Sequence, residues 1–153
     1  FHYVLVPSAI FMIMAGGYYW LPKWTGNMYN EKIGQFHFWM SAISVNVLFF
    51  PQHFLGLAGM PRRIPDYAVQ FTDWNQVSSV GAFLFGFSQL LFLYIVIDTI
   101  RGGTGKKATN EVWEGALQYG GGGTVGLEWT LPSPPPYHTF TEAPVVVPIE
   151  YEH

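Results

Sequence analysis

The sequence predicts an all-α fold: a transmembrane helical bundle of three spans followed by an extended, Gly/Pro-rich C-terminal tail. Residues 1–22, 33–61 and 74–97 contain no Asp, Glu, Lys or Arg, and each run reaches the roughly 20 residues a helix needs to cross a bilayer. Half of the 153 residues are hydrophobic and only 11% are charged. The runs are apolar on nearly all faces, where a helix of a soluble core would show polar residues at a period of about 3.6. Beyond Ile100 the composition turns to glycine and proline, which cannot build a core. The expected organisation is therefore 1–100 for three helices, approximately 1–22, 33–60 and 74–100, and 101–153 for an extramembrane tail.

The first run begins at Phe1 without a methionine and already apolar, so this end reads as cut or processed. It lacks the basic start and small-residue cleavage site of a signal peptide. The segment Lys23 to Lys32, KWTGNMYNEK, holds the turn formers Thr25-Gly26-Asn27 and Tyr29-Asn30 and reads as a short connection between helices. Between the second and third runs, RRIPDYAVQFTD (Arg62 to Asp73) offers Pro65 and Asp66 for a turn. After the third come Gly102-Gly103, Gly105, the Gly120 to Gly123 run and PSPPPYH (Pro132 to His138). This stretch is expected to lie against a partner or a larger body, with Trp129, Tyr137 and Phe140 as apolar anchors and the glycine run mobile.

Lys23, Lys32, Arg101, Lys106 and Lys107 fall at one end of such a bundle, and only Arg62 and Arg63 at the other. The positive-inside tendency puts the first connection and the tail in the cytoplasm, or in the matrix of a mitochondrion. Tyr18, Tyr19, Trp20, Trp24 and Tyr29 near that face suit an interfacial aromatic belt. Arg62 and Arg63 then stand where basic residues are scarce, and they need a local anion, either a lipid phosphate or the carboxylate of a ligand. The absence of cysteine excludes disulfides and thiolate metal sites. A net charge of −3 gives no footprint for nucleic acid.

Uncharged imidazole is the side chain a membrane helix can spare for a metal. His2 opens the first helix and is either an incidental terminal residue or a ligand. His37 is read as an interfacial polar residue, His53 as a hydrogen-bonding core residue and His138 as a surface contact.

Several motifs together are more specific. FHYVL (Phe1 to Leu5), FFPQHFLGLAGMPRR (Phe49 to Arg63), Asp66-Tyr67, Trp74-Asn75, Ser78-Ser79 with Gly81, and LEWT with PSPPPYHTF between Leu127 and Phe140 resemble subunit I of the heme-copper cytochrome c oxidases. The likeness is to the bacterial, heme A-containing type and covers nearly the whole chain as the last three helices and tail. Val6-Pro7 and the stretch Ala116 to Gly126 depart from the family's usual pattern.

The resemblance implies that His2 is an axial ligand of the low-spin heme A. It implies that Phe1, Phe49 and Gln52 line that heme's pocket and that Arg62 and Arg63 hold its propionates. The high-spin heme and copper are implied as well, with their ligands outside this chain. The implied function is that of part of the catalytic subunit of a proton-pumping terminal oxidase, which passes electrons from cytochrome c to oxygen. The implied partners are the remaining helices of subunit I, oxidase subunits II and III, cytochrome c and membrane lipid, with no nucleic acid. The expected location is the bacterial inner membrane with a cytoplasmic tail, or the mitochondrial inner membrane in a eukaryote. Two alternatives are a non-enzymatic membrane module docking on an oxidase and the equivalent part of a quinol oxidase.

Overall fold

The computed structural model describes residues 1–110, 112–113 and 127–143. Expectations for Gly120 to Gly123 and for the whole Ala116 to Gly126 stretch lie outside the described residues. The chain forms three helices long and apolar enough to cross a membrane: His2–Thr25, Glu31–Leu57 and Val69–Arg101. The shortest has 24 residues, about 36 Å at 1.5 Å per residue, which exceeds a hydrocarbon core of about 30 Å. Among the described residues the only strand-like feature is an isolated bridge, between Asn27 and Lys107.

Capping, rather than the edges of the charge-free runs, sets where the helices stop. The first span continues past Pro22 to Gly26, whose φ of 71° is left-handed and whose N–H closes onto Pro22 O at 2.8 Å, a helix stop that glycine adopts without steric cost. The second span starts before its apolar run because the Asn30 side chain accepts from Lys32 N and Ile33 N at 3.1 and 3.3 Å. A short 3-10 turn, Val69–Phe71, leads into the third, which ends at Gly102 with φ 77°.

The second and third spans form the main packing pair. Gly34, His37, Ser41, Ser44, Pro51 and Leu55 are buried on one, and Ser78, Gly81, Ser88, Ile95 and Thr99 on the other. With half-buried Leu48 the first series alternates steps of three and four, the spacing of a coiled-coil seam. Small side chains let the backbones approach, as membrane helix pairs require. A Cβ placed on Gly81 would lie 2.4 Å from Leu48 N. Hydroxyls cross the same seam, with Ser41 Oγ donating to Ser88 Oγ at 2.9 Å and Ser78 Oγ to Leu48 O at 2.7 Å. His37 sits in this seam, packed between helices. It is 2% exposed, shares a 2.9 Å hydrogen bond with the Tyr18 hydroxyl and stacks on Phe92 at 5.3 Å.

The tail laces onto the end of the first span. Met28 N donates to Lys106 O and Ala108 N to Gly26 O, each at 3.0 Å, while Asn27 Nδ2 reaches Thr99 O at 3.0 Å. Lys23 is 1% exposed. Its ammonium donates to Leu131 O at 2.6 Å, Asn110 O at 2.9 Å and Ser133 Oγ at 3.3 Å, and lies 5.5 Å from the Trp129 ring centre. Three acceptors match three N–H donors, which offsets the cost of burying the charge. Trp129 is buried against Tyr19 at 4.8 Å. Tyr137 is 96% exposed and Phe140 38%, so of the three expected anchors only Trp129 is buried by this chain.

Two outcomes follow from this packing. Gly81→Leu should destabilise the helix pair by about 3 kcal/mol or more through overpacking against backbone, seen as a lower Tm in detergent; an unchanged Tm would mean the seam is not tight there. Lys23→Met removes charge-assisted bonds of roughly 1.5–3 kcal/mol each and leaves buried carbonyls unpartnered. Amide hydrogen exchange across 127–133 should then rise at least tenfold, and wild-type exchange rates in the variant would mean that other contacts hold the tail.

Candidate functional site

The opposite end of the bundle carries the residues singled out by the sequence. Asn46, Phe49, Phe50 and His53 recur at steps of three, four and seven along the second span, hence on one helix face, and three of them meet the start of the first span. The His2 and Phe49 rings lie nearly parallel, 10° apart with centroids 6.3 Å apart, and Phe1 meets the His2 ring edge-on at 5.3 Å and 77°. His2 is exposed, and among the described residues its ring nitrogens have no hydrogen-bond partner.

Gln52 lies next to the seam residue Pro51. Its Nε2 donates to Ser78 Oγ at 3.0 Å, and Ser78 Oγ donates on to Leu48 O at 2.7 Å. The Gln52 side chain is thus tied to the third span although the residue is exposed. Beyond it, Gly59 with φ 88° turns the chain out of the helix and Pro61 precedes the two arginines. Arg62 and Arg63 are exposed, and Arg63 has a left-handed φ of 57°. Among the described residues neither guanidinium is hydrogen-bonded or ion-paired.

The structure therefore brings Phe1, His2 and Phe49 into contact and fixes Gln52 one turn further along the second span. Arg62 and Arg63 stand in the loop at the same end, with no bond to His2. Sequence reasoning missed Tyr3 and Asn46 and read His53 as a core residue. The Tyr3 hydroxyl donates to Asn46 Oδ1, and its ring meets His53 at 5.6 Å and Phe49 at 6.3 Å, both edge-on. His53 is exposed, and its Nδ1 lies 3.1 Å from Phe50 O. The 46, 49, 53 spacing was the available signal for this cluster.

These donors suit an iron-bound tetrapyrrole with anionic substituents. An exposed imidazole with both nitrogens uncommitted can ligate iron, flanking phenyl rings can pack on a macrocycle, and two guanidinium groups with no carboxylate of their own can bind carboxylates by bidentate forks. Among the described residues no group of three or more His, Cys, Asp or Glu could hold a metal by itself.

Residues 1–84 match the family model described as Cytochrome C and Quinol oxidase polypeptide I. The chain is 47% identical over 144 residues to the cytochrome c oxidase subunit 1 of Cereibacter sphaeroides, an alignment covering 94% of this chain and 24% of that protein. It is 43% identical over 153 residues to the cytochrome c oxidase subunit 1 of Yarrowia lipolytica, covering 95% of this chain and 29% of the relative. It thus spans about a quarter of the length of the curated relatives it matches.

Proposed function

The chain belongs to the cytochrome c and quinol oxidase polypeptide I family, and on that premise we propose that it forms the low-spin heme A side of the catalytic subunit of a proton-pumping terminal oxidase. In this reading the heme supplies a one-electron carrier between cytochrome c and the oxygen-reducing high-spin heme and copper, whose ligands lie elsewhere in the subunit. His2 ligates the iron as a neutral imidazole, Phe1 and Phe49 pack on the ring system, and Gln52 stands beside them, held by Ser78. Arg62 and Arg63 bind the propionates. The observation that carries the reading is the exposed His2 imidazole, uncommitted among the described residues and aligned with Phe49. Cytochrome c is favoured over quinol as donor because both relatives named above are cytochrome c oxidases.

The partners in this reading are the remaining helices of subunit I, subunits II and III, cytochrome c and lipid. The distribution of Lys and Arg puts the tail on the cytoplasmic or matrix side. Burial of Lys23 in the folded protein does not weaken that inference, because orientation is set during insertion, before the tail has docked.

His2→Ala in the assembled complex should abolish the six-coordinate low-spin heme spectrum, and its retention would overturn the ligand assignment. For the arginines the expected effect is on potential. A unit positive charge about 12 Å from an added electron, at an effective dielectric of about 20, favours reduction by roughly 1.4 kcal/mol, which is about 60 mV for one electron. A propionate left without its partner can take up a proton and recover part of this. Arg62→Gln or Arg63→Gln should therefore lower the low-spin heme midpoint by tens of millivolts with the heme still bound. Redox titration is the test, and an unchanged or raised midpoint in both variants would assign the pair to the membrane surface or the fold.

A further inference from the structure

The turn that carries His2 is weakly attached to its own helix. His2–Val6 is a five-residue α-helical segment followed by a π-helical segment, Pro7–Phe11. Pro7 has no N–H to give to the preceding turn, and the wider π turn breaks the regular i to i−4 ladder. No residue of either segment is buried by this chain, and the lateral contacts of the turn are ring contacts of His2 and Tyr3 with the second span. Val4 N and Leu5 N close onto Phe1 O at 3.2 and 3.0 Å. Ser8 Oγ contacts Val4 O at 2.8 Å and Leu5 O at 3.1 Å. All of these bonds lie within the first span and by themselves do not set its rotation about its axis.

Tyr3 supplies the lateral restraint. Its hydroxyl donates to Asn46 Oδ1 on the second span, and Asn46 is itself oriented by Nδ2 donating to Ala42 O at 2.8 Å. The Tyr3 ring meets both Phe49 and His53 edge-on. Adjacent helical residues point about 100° apart, so holding Tyr3 against the second span also fixes the direction in which His2 projects. Among the described residues His2 has no hydrogen bond of its own that could do this.

We propose that Tyr3, through its bond to Asn46, is a positioning residue that sets the azimuth of the His2 imidazole plane. The proposal rests on the reading of His2 as a heme ligand. Fixing a ligand plane against the macrocycle narrows the range of ligand fields the iron experiences, as partners behind a metal-bound histidine commonly do.

The test is Tyr3→Phe, which keeps the ring and removes only the hydroxyl, together with Asn46→Ala and the double variant, all in the assembled complex. Each single variant should retain heme and six-coordinate low-spin iron but show a shifted or broadened largest g value in electron paramagnetic resonance. Amide exchange across residues 2–6 should rise several-fold. The double variant should shift no further than either single one, because both remove the same bond. A spectrum identical to wild type in Tyr3→Phe, even with lower thermal stability, would overturn the positioning role, and additive shifts would overturn its transmission through Asn46. His2→Ala separates the two readings. Retained low-spin iron there would defeat the ligand assignment itself, whereas its loss beside an unshifted Tyr3→Phe would defeat only the positioning role.

Discussion

The close approach of Gly81 to the Leu48 backbone is the constraint on which the rest of the structure depends. Between helices in a bilayer, apolar burial supplies no driving force, because lipid tails are as apolar as leucine. Association must come from close packing and from hydroxyls that would otherwise be unsatisfied in hydrocarbon. The seam of Gly, Ser and Thr residues meets both needs, and it fixes the rotation of the second span about its axis. With His37, Ser41 and Leu48 turned to the third span, Asn46, Phe49 and His53 fall on the flank that meets Tyr3, and Phe49 also meets His2. The geometry around His2 is thus a consequence of a glycine on a different helix.

The two ends of the bundle are built on different principles. At the tail end the helices stop on left-handed glycines, Gly26 and Gly102, and the chain crosses back through Asn27 and Lys23 to lace them together. Gly26 is needed twice there, for its φ and because a Cβ would lie 2.6 Å from Pro134 Cδ. At the His2 end both nearby helices contain a proline. Pro7 opens the π-helical segment, and Pro51 follows Phe50, whose own N–H still closes onto Asn46 O. Each proline removes a ladder donor, leaving the turns that carry His2, Phe49 and Gln52 to be positioned by lateral contacts. A site built this way can be tuned by single side-chain bonds, which a continuous helix would override.

The spans were legible because bilayer thickness imposes a length and a charge rule that a linear sequence displays directly. Their ends were less so, since Asn30, Gly26 and Gly102 act through local geometry that outlasts the apolar runs. Lys23 shows the limit of reading charge as a surface marker. Its partners at Leu131 and Ser133 lie more than a hundred residues away, and no local pattern announces them. The burial of His37 between helices, by contrast, follows the seam spacing of Gly34 and Ser41. His2, Phe49 and Gln52 were singled out through a motif, whereas Tyr3 and Asn46 required the register between two helices, which sequence periodicity constrains to a face but not to a partner.

The treatment of cations links these points to chemistry. Lys23 is buried and fully satisfied by neutral acceptors, so the fold itself accounts for its charge. Arg62 and Arg63 are the opposite case. They are adjacent, they repel each other, and among the described residues no carboxylate compensates them. Arg63 also holds a left-handed φ of 57°, a conformation costing a non-glycine residue about 1 kcal/mol or more. Local strain and like-charge repulsion in one dipeptide both oppose folding, and neither is offset by a contact within the loop. A bidentate guanidinium fork fits a carboxylate or phosphate better than any diffuse negative surface, so an anion standing against this dipeptide would relieve the repulsion. In the proposed reading that anion is supplied from beyond these residues, at the same end of the bundle as the uncommitted imidazole of His2.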